Sequence, residues 1–176
     1  MRGVDLHWIR LTDSNPATLS PDELERASHF RSARDRERFI GTWELVSTEQ
    51  QLTDGSTRPY PDLGKNGKGF LMYSADGHMC AELMNPDRPK WKDEGKPTDE
   101  EKALAMSGFT AYCGRYELDE AHHVMFHHPE VAWMPNYVGT RQKRPYKLDG
   151  DILTFSNKAE GEPGIAGWTI TWRKLR

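Results

Sequence analysis

The chain has 176 residues, and its 24 basic and 27 acidic side chains leave a formal net charge of −3. This nearly balanced charge, without a basic patch, argues against a nucleic-acid partner. The lack of an 18-residue apolar run argues against a membrane-spanning helix. Six Trp, six Tyr and six Phe residues stand on a background that is only 36% hydrophobic. Large rings in a polar chain favour a thin-walled fold around one apolar interior.

The two cysteines, Cys80 and Cys113, are too few for a disulfide framework. A secretory signal peptide needs a continuous apolar stretch, which an acidic residue and a histidine interrupt in the N-terminal MRGVDLHWIRL. We therefore expect a cytoplasmic protein in a reducing compartment, with both thiols free.

The composition changes near residue 40, which predicts a helical appendage over residues 1–40 and a β-domain over residues 41–176. Ser20, Pro21 and Glu23 have the pattern of a helix start, with an N-cap, a proline in the first turn and a glutamate three residues after the cap. The predicted helix ends at Phe39, before a glycine. Its mixed charges are typical of a solvated face.

After residue 40 the apolar and β-branched residues predict strands. Asp-Gly pairs at residues 76–77 and 149–150 are strong hairpin signals, because glycine adopts positive φ without penalty. The spacing predicts about eight strands with short connections, typical of a mainly β, antiparallel up-and-down barrel or a sandwich. The predicted strands are Thr42–Leu52, Gly69–Ser74, His78–Met84, Thr110–Leu118, His123–Trp133, Lys143–Leu148, Ile152–Ser156 and Gly167–Leu175.

One helix interrupts these strands. Thr98 is followed three residues later by Glu101, which is a capping box, and the helix is predicted over residues 98–107. A helix between two strands of a small barrel can act as a lid over one end.

Alternate residues of a strand share a face, so the pattern indicates which side chains point inward. In the last strand, Trp168, Ile170 and Trp172 share the apolar face. Between residues 138 and 148, the apolar face includes Arg144. An unpaired buried guanidinium costs several kcal/mol, so Arg144 should meet a carboxylate, stacked rings or a ligand. A structural ion pair and a ligand anchor both remain open.

Five of the seven histidines lie at residues 78–128, two of them in the pair His127 and His128. Two histidines four residues apart on a strand are separated by roughly 13 Å, too far for one metal ion. We expect no metal, and no cofactor, because phosphate-binding and dinucleotide motifs are absent. One of His127 and His128 should face inward, but alternation does not decide which. That histidine is either core filler or an acid/base group.

The sequence Gly41-Thr42-Trp43, with Arg173 near the end of the last strand, resembles the lipocalin signature. Over residues 39–176 the chain resembles the lipocalin-like domain family of bacteria and fungi, many of whose members lie beside secondary-metabolism genes. The motifs that carry this resemblance include residues 69–79, 111–116, 127–130, 135–140 and 150–154. The resemblance implies a cup-shaped barrel that is plugged by Trp43 with Arg173 stacked across it. It also places His127, Tyr112 and Arg144 in the cup, without supplying a reaction.

Residues 4–39 resemble the N-terminus of a phosphopantetheinyl transferase at residues 4–8, 19–24 and 34–39. That family also needs acidic magnesium ligands and a downstream Lys-Glu motif, which are not recognisable in this chain. We therefore expect no such activity.

Two functions follow as hypotheses. The first is a secondary-metabolism enzyme directing a redox-neutral cyclisation, isomerisation or dehydration. In it His127 acts as acid/base, while Arg144 and Tyr112 stabilise negative charge. The alternative is a non-catalytic carrier. Either binds a small, largely apolar molecule, and a homodimer is a further arrangement that the sequence allows. The predicted ligand contacts are Tyr73, Tyr116, Trp133, Gln142, Tyr146 and Trp168.

Overall fold

The computed structural model describes residues 20–21, 36–159 and 161–176. Residues Phe39–Arg176 form one compact unit. Most of the predicted N-terminal helix, and most of the segment that resembles a phosphopantetheinyl transferase, lie outside the described residues. No helix in the described part of the chain is long and apolar enough to cross a membrane.

Among its described residues, the unit contains nine strands and, after the first strand, one α-helix and one short 3-10 helix. The helices are α1 (Asp99–Ser107) and η1 (Pro135–Tyr137). The strands are β1 (Gly41–Leu52), β2 (Thr57–Pro59), β3 (Lys68–Tyr73), β4 (His78–Met84), β5 (Phe109–Asp119), β6 (Val124–Ala132), β7 (Gln142–Asp149), β8 (Ile152–Lys158) and β9 (Ile165–Lys174).

The strands form a closed antiparallel barrel, as predicted. Each strand from β3 to β8 pairs with the next along the chain, and β1 pairs with both β3 and β9 to close the sheet. The short β2, which the sequence does not predict, pairs with Glu49–Gln51 near the end of β1. The two Asp-Gly hairpins are confirmed, with φ values of 93° at Gly77 and 56° at Gly150.

The alternating pattern of residues 138–148 implied an extended strand from Val138 onward, but β7 begins only at Gln142. The 3-10 helix Pro135–Tyr137 and a positive φ of 77° at Gly139 keep the backbone out of the extended conformation before Gln142. The alternation is nevertheless correct within β7.

Trp43 closes the base of the core, where its side chain is fully buried and its indole Nε1–H donates to the Phe39 carbonyl at 2.8 Å. The partner stacked near its ring is Lys174, whose Nζ lies 5.3 Å from the ring centroid. The expectation for Arg173 is therefore wrong. Trp43 is paired with Lys174 and Glu44 with Arg173, so Arg173 lies on the outer face and is exposed.

Cys80 and Cys113 form a disulfide, so the expectation of free thiols is also wrong. The two residues are direct partners in the pairing of β4 with β5. That pairing could not be deduced from two cysteines 33 residues apart. The cysteines accordingly give no support to a reducing compartment.

The helix α1 begins with the predicted capping box. Thr98 Oγ1 accepts from the Glu101 backbone N–H at 3.2 Å, and a Glu101 carboxylate oxygen accepts from the Thr98 N–H at 2.8 Å. The helix has no buried residue, and no residue of it lines the barrel cavity. The structure therefore gives it no role as a lid.

We predict that Gly114→Ala destabilises the barrel by about 2 kcal/mol or more, because an added Cβ would collide with the backbone carbonyl of His128. The clash is with backbone, at a register shift between β5 and β6, so a side-chain rotation cannot relieve it. Urea unfolding measures the effect. Gly95→Ala, where a Cβ has room, should be nearly neutral, and equal stability of both variants would contradict the prediction.

We predict that the oxidised protein, unfolded without reductant, shows no thiol reactive towards Ellman's reagent. Replacing both cysteines with serine should lower the free energy of unfolding by about 3 kcal/mol. The disulfide joins residues that are 33 positions apart, and without it the unfolded chain gains conformational entropy. Two reactive thiols in the untreated protein would contradict the pairing.

Candidate functional site

The barrel encloses a cavity of about 430 Å³, within the size range of small-molecule sites. The apolar lining residues are Leu63, Leu71, Ala81, Leu83, Trp133, Phe155, Trp168, Ile170 and Trp172. The polar lining residues are Thr48, Tyr60, Asp62, Thr110, Tyr112, His127, Tyr137, Gln142, Arg144 and Asn157. The cavity therefore combines aromatic and aliphatic surface with hydrogen-bonding side chains, several of which come from the neighbouring strands β5, β6 and β7.

The predicted site residues divide into two sets. Tyr112, His127, Arg144, Trp133, Gln142 and Trp168 all line the cavity. Tyr73, Tyr116 and Tyr146 do not, and here the structure differs from the expectation. Their rings pack within the core, where Tyr73 and Tyr146 lie edge-on to Phe39 and Tyr73 also contacts Tyr116. They therefore support the cup without forming its wall.

Strand register brings the polar lining residues together. His127 of β6 faces Gln142 of β7, and Met125 faces Arg144. Because paired residues and alternate residues share a face, the two β7 side chains lie beside those of β6 inside the barrel. Tyr112, on the inward face of β5, enters the same region and contacts the His127 ring, with centroids 5.8 Å apart.

His127 is the inward histidine, which answers the question that alternation left open. It is 1% exposed, and both of its ring nitrogens have hydrogen-bond partners. Nε2 lies 2.6 Å from Tyr73 Oη and Nδ1 lies 2.9 Å from Tyr112 Oη. His128 points the other way, and its Nε2 lies 3.1 Å from a Glu117 carboxylate oxygen.

The surroundings of His127 keep its imidazole neutral. Burial, and then the positive charge of Arg144, hold the pKa of His127 well below its usual value of 6.5. Burial also raises the pKa of both Tyr73 and Tyr112, although Arg144 opposes the rise in each case. The three groups therefore form a neutral, hydrogen-bonded chain beside one cation.

Arg144 provides that cation from a largely buried position. Its Nη2 donates to Tyr137 Oη at 2.9 Å, and its Nη1 donates to the Lys143 carbonyl at 3.1 Å and, at 3.4 Å, to Gln142 Oε1. The guanidinium carbon lies 5.5 Å from the Trp168 ring centroid, in reach of a cation–π interaction. Among the described residues, no carboxylate is within ion-pair distance of Arg144. Within the described part of the chain, Arg144 therefore has a hydroxyl, two carbonyl-type oxygens and a ring as partners, and no ion pair.

Tyr137 is the main site residue that sequence reasoning missed. It lies in η1, where the two-residue alternation of a strand does not apply. Its ring contacts Tyr112 and Trp133, with centroid distances of 5.4 and 5.2 Å. Residues 135–140 belong to a motif that carries the family resemblance, which was the one signal that could have directed attention to it.

Among the described residues, no three His, Cys, Asp or Glu side chains are placed to hold a metal ion. Arg144 can act only as a donor. Arg144 and the tyrosine hydroxyls can donate hydrogen bonds to an oxygen atom of a bound molecule. The positive charge of Arg144 can also stabilise negative charge on that atom.

We predict that stability falls as the pH drops below about 6.5, by up to about 1.4 kcal/mol per pH unit, because the unfolded chain protonates His127 there while the folded protein does not. Carboxylates with lowered pKa values, such as Asp76 at about 2, lose their contribution at lower pH. Urea unfolding between about pH 7.5 and pH 5.5 measures the slope.

The control for this prediction is a matched pair of variants. His127→Gln should be less stable at neutral pH and should show a flatter pH dependence. Exposed His122→Gln should keep the slope of the unaltered protein. An unchanged slope in His127→Gln would contradict the assignment.

Comparisons with known proteins agree with this architecture. The model of a family described as "Lipocalin-like domain" matches residues 40–175. The chain is also 32% identical, over 110 residues, to the 4'-hydroxy-3'-methoxypropiophenone carrier protein ppsC of Aspergillus oryzae (strain ATCC 42149 / RIB 40). That match covers 55% of this chain and 96% of the relative.

No solved structure matches the chain. The family match extends over most of the sequence and coincides with the closed barrel. On these grounds the chain belongs to the lipocalin-like domain family.

Proposed function

We propose that this protein is a carrier that reversibly binds a small aromatic molecule, with a polar oxygen of the ligand against Arg144. One observation carries the proposal: a largely buried guanidinium lines an aromatic cavity and has no carboxylate partner among the described residues. Leaving a buried cation without an anionic partner is costly. A ligand oxygen would complete its hydrogen bonding.

The walls of the cavity support an aromatic ligand. Trp133, Trp168, Trp172 and Phe155 offer ring surface, and aromatic pairs gain about 0.5–1.5 kcal/mol beyond the burial of their area. The relative from Aspergillus oryzae is named a carrier of 4'-hydroxy-3'-methoxypropiophenone. That compound is a single-ring aryl ketone with oxygen atoms at its edge, a shape and polarity that suit such a cavity.

A second candidate function is catalysis of a redox-neutral cyclisation, isomerisation or dehydration in secondary metabolism. The hydrogen-bonded chain Tyr73–His127–Tyr112 beside Arg144 favours it, because such a chain can move a proton. However, both nitrogens of His127 are already engaged by tyrosines. The group in that chain that would meet a substrate is Tyr112.

We predict that 4'-hydroxy-3'-methoxypropiophenone, the ligand in the relative's name, quenches the tryptophan fluorescence saturably and is recovered unchanged by chromatography. Arg144→Met should weaken this binding at least about tenfold, since a hydrogen bond to a charged group contributes about 1.5–3 kcal/mol. Arg173→Met, which removes an arginine from the outer face, is the matched control. Equal losses in both variants, or no saturable binding, would contradict the proposal.

Catalysis is tested once a substrate is known, by measuring its turnover in His127→Ala and Arg144→Ala. The enzyme hypothesis predicts that both variants lose most of the turnover, because general acid–base groups contribute about 10²–10⁴-fold. Native mass spectrometry of the freshly purified protein is the first step, because a co-purified molecule would identify the substrate class. Unchanged turnover in both variants would reject this hypothesis.

A further inference from the structure

The hydrogen bonds around His127 have a direction that follows from what each group can donate. A neutral imidazole carries one N–H and one acceptor nitrogen. Tyr73 is 2% exposed and is not among the lining residues, and its hydroxyl meets His127 Nε2. If Tyr73 accepted that bond, its own buried hydrogen would have no acceptor among the residues that the structure describes, at a cost of about 1–3 kcal/mol. Tyr73 therefore donates to Nε2, and the imidazole proton lies on Nδ1.

The proton on Nδ1 then determines what Tyr112 can do. His127 Nδ1–H donates to Tyr112 Oη across 2.9 Å. Tyr112 is therefore the acceptor in this bond, and its own hydroxyl hydrogen takes no part in the hydrogen bonds that join Tyr73, His127 and Tyr112. Tyr112 lines the cavity, and its hydrogen is available to a bound molecule. His127 thus acts as a positioning residue that makes Tyr112 a donor.

The neighbouring groups add donors of the same kind. Tyr137 Oη accepts from Arg144 Nη2, which leaves the Tyr137 hydrogen free at the cavity surface. The Gln142 side chain is already engaged, because Oε1 accepts from Arg144 at 3.4 Å and Nε2 donates to Thr140. This side of the cavity therefore presents two hydroxyl hydrogens and a guanidinium.

We propose that the cavity binds weakly acidic phenols in their deprotonated form, with the phenolate oxygen held by Arg144, Tyr112 and Tyr137. The phenol O–H bond breaks, the electron pair stays on oxygen and the proton passes to the solvent. This inference rests on the proposed function and adds the ionisation state of the ligand. Two hydroxyl donors and a cation that meet at one oxygen atom stabilise an oxyanion far more than a neutral hydroxyl.

The other ionisable groups at the cavity are compatible with this charge. Asp62 is the one carboxylate among the described lining residues. It is exposed, so solvent and salt screen its charge. Tyr60 also lines the cavity, and burial, followed by the charge of Asp62, raises its pKa. With Tyr73 and His127 neutral, Arg144 and Asp62 are the formal charges among the described lining residues, and Arg144 is the one that donates to Tyr137 at the proposed oxygen site.

The test uses 4-nitrophenol, whose phenolate is yellow and which titrates near neutral pH. We expect the absorbance titration of 4-nitrophenol on saturating protein to give a pKa at least about one unit below that of the free phenol, equivalent to at least tenfold tighter binding of the phenolate. Between the pKa of the bound phenol and that of the free phenol, binding should release protons, about half a proton per ligand for a one-unit shift and close to one for a shift of about three units. Calorimetry in buffers of different ionisation enthalpy measures that release. An unchanged or raised pKa overturns the inference.

Variants identify the groups responsible. Arg144→Met should abolish the shift, Arg144→Lys should retain part of it, and Tyr112→Phe should reduce it, while Arg173→Met should leave it unchanged. If Arg144→Met does not fold, as judged by circular dichroism, Arg144→Lys and Tyr112→Phe decide the assignment. A full shift in both would overturn it.

The ether 4-nitroanisole, which has no proton to lose, separates this inference from the proposed function. We expect it to bind at least about tenfold more weakly than 4-nitrophenol at a pH where the bound phenol is ionised. Equal binding of both compounds, without a pKa shift, would reject phenolate selection and leave the carrier function standing. Binding of neither compound would reject both.

Discussion

Closure of the sheet by the pairing of β1 with β9 is the constraint on which the rest of the molecule depends. This pairing runs from Trp43 with Lys174 to Leu52 with Ile165. Among β1 and β3 to β9 it gives every strand a barrel neighbour on each side, and it removes the two open edges that a flat sheet of these strands would expose. Once the sheet is closed, alternate side chains of each strand point either into the barrel or out to its surface. The aromatic rings that point inward pack together in the barrel interior.

The interior is not filled uniformly. At the base, Trp43, Met125 and Leu153 are fully buried and form a solid core. Further along the barrel the same inward positions surround a cavity of about 430 Å³. Large side chains at one end and space at the other are what allow a barrel of this size to hold one small molecule.

Arg144 is the costly element of this interior. Removing a guanidinium from water without an anionic partner opposes folding, yet its hydroxyl, carbonyl and ring contacts compensate only part of that cost. The neutral chain from Tyr73 through His127 to Tyr112 is arranged around this cation, and the cation in turn disfavours protonation of His127. Under the proposed function, the positive charge and the donors are in place before a ligand arrives, which lowers the cost of ordering the site on binding.

The amino-acid sequence by itself determined the class of fold, the hairpins at Gly77 and Gly150, and the inward orientation of Arg144. These follow from local rules: glycine tolerates positive φ, and alternate residues of a strand share a face. Only the tertiary structure decided that His127, rather than His128, faces inward, that Lys174 replaces Arg173 beside Trp43, and that the two cysteines pair. The reason is physical, because each of these outcomes depends on the register between strands that are distant in sequence, and local pattern does not contain that register.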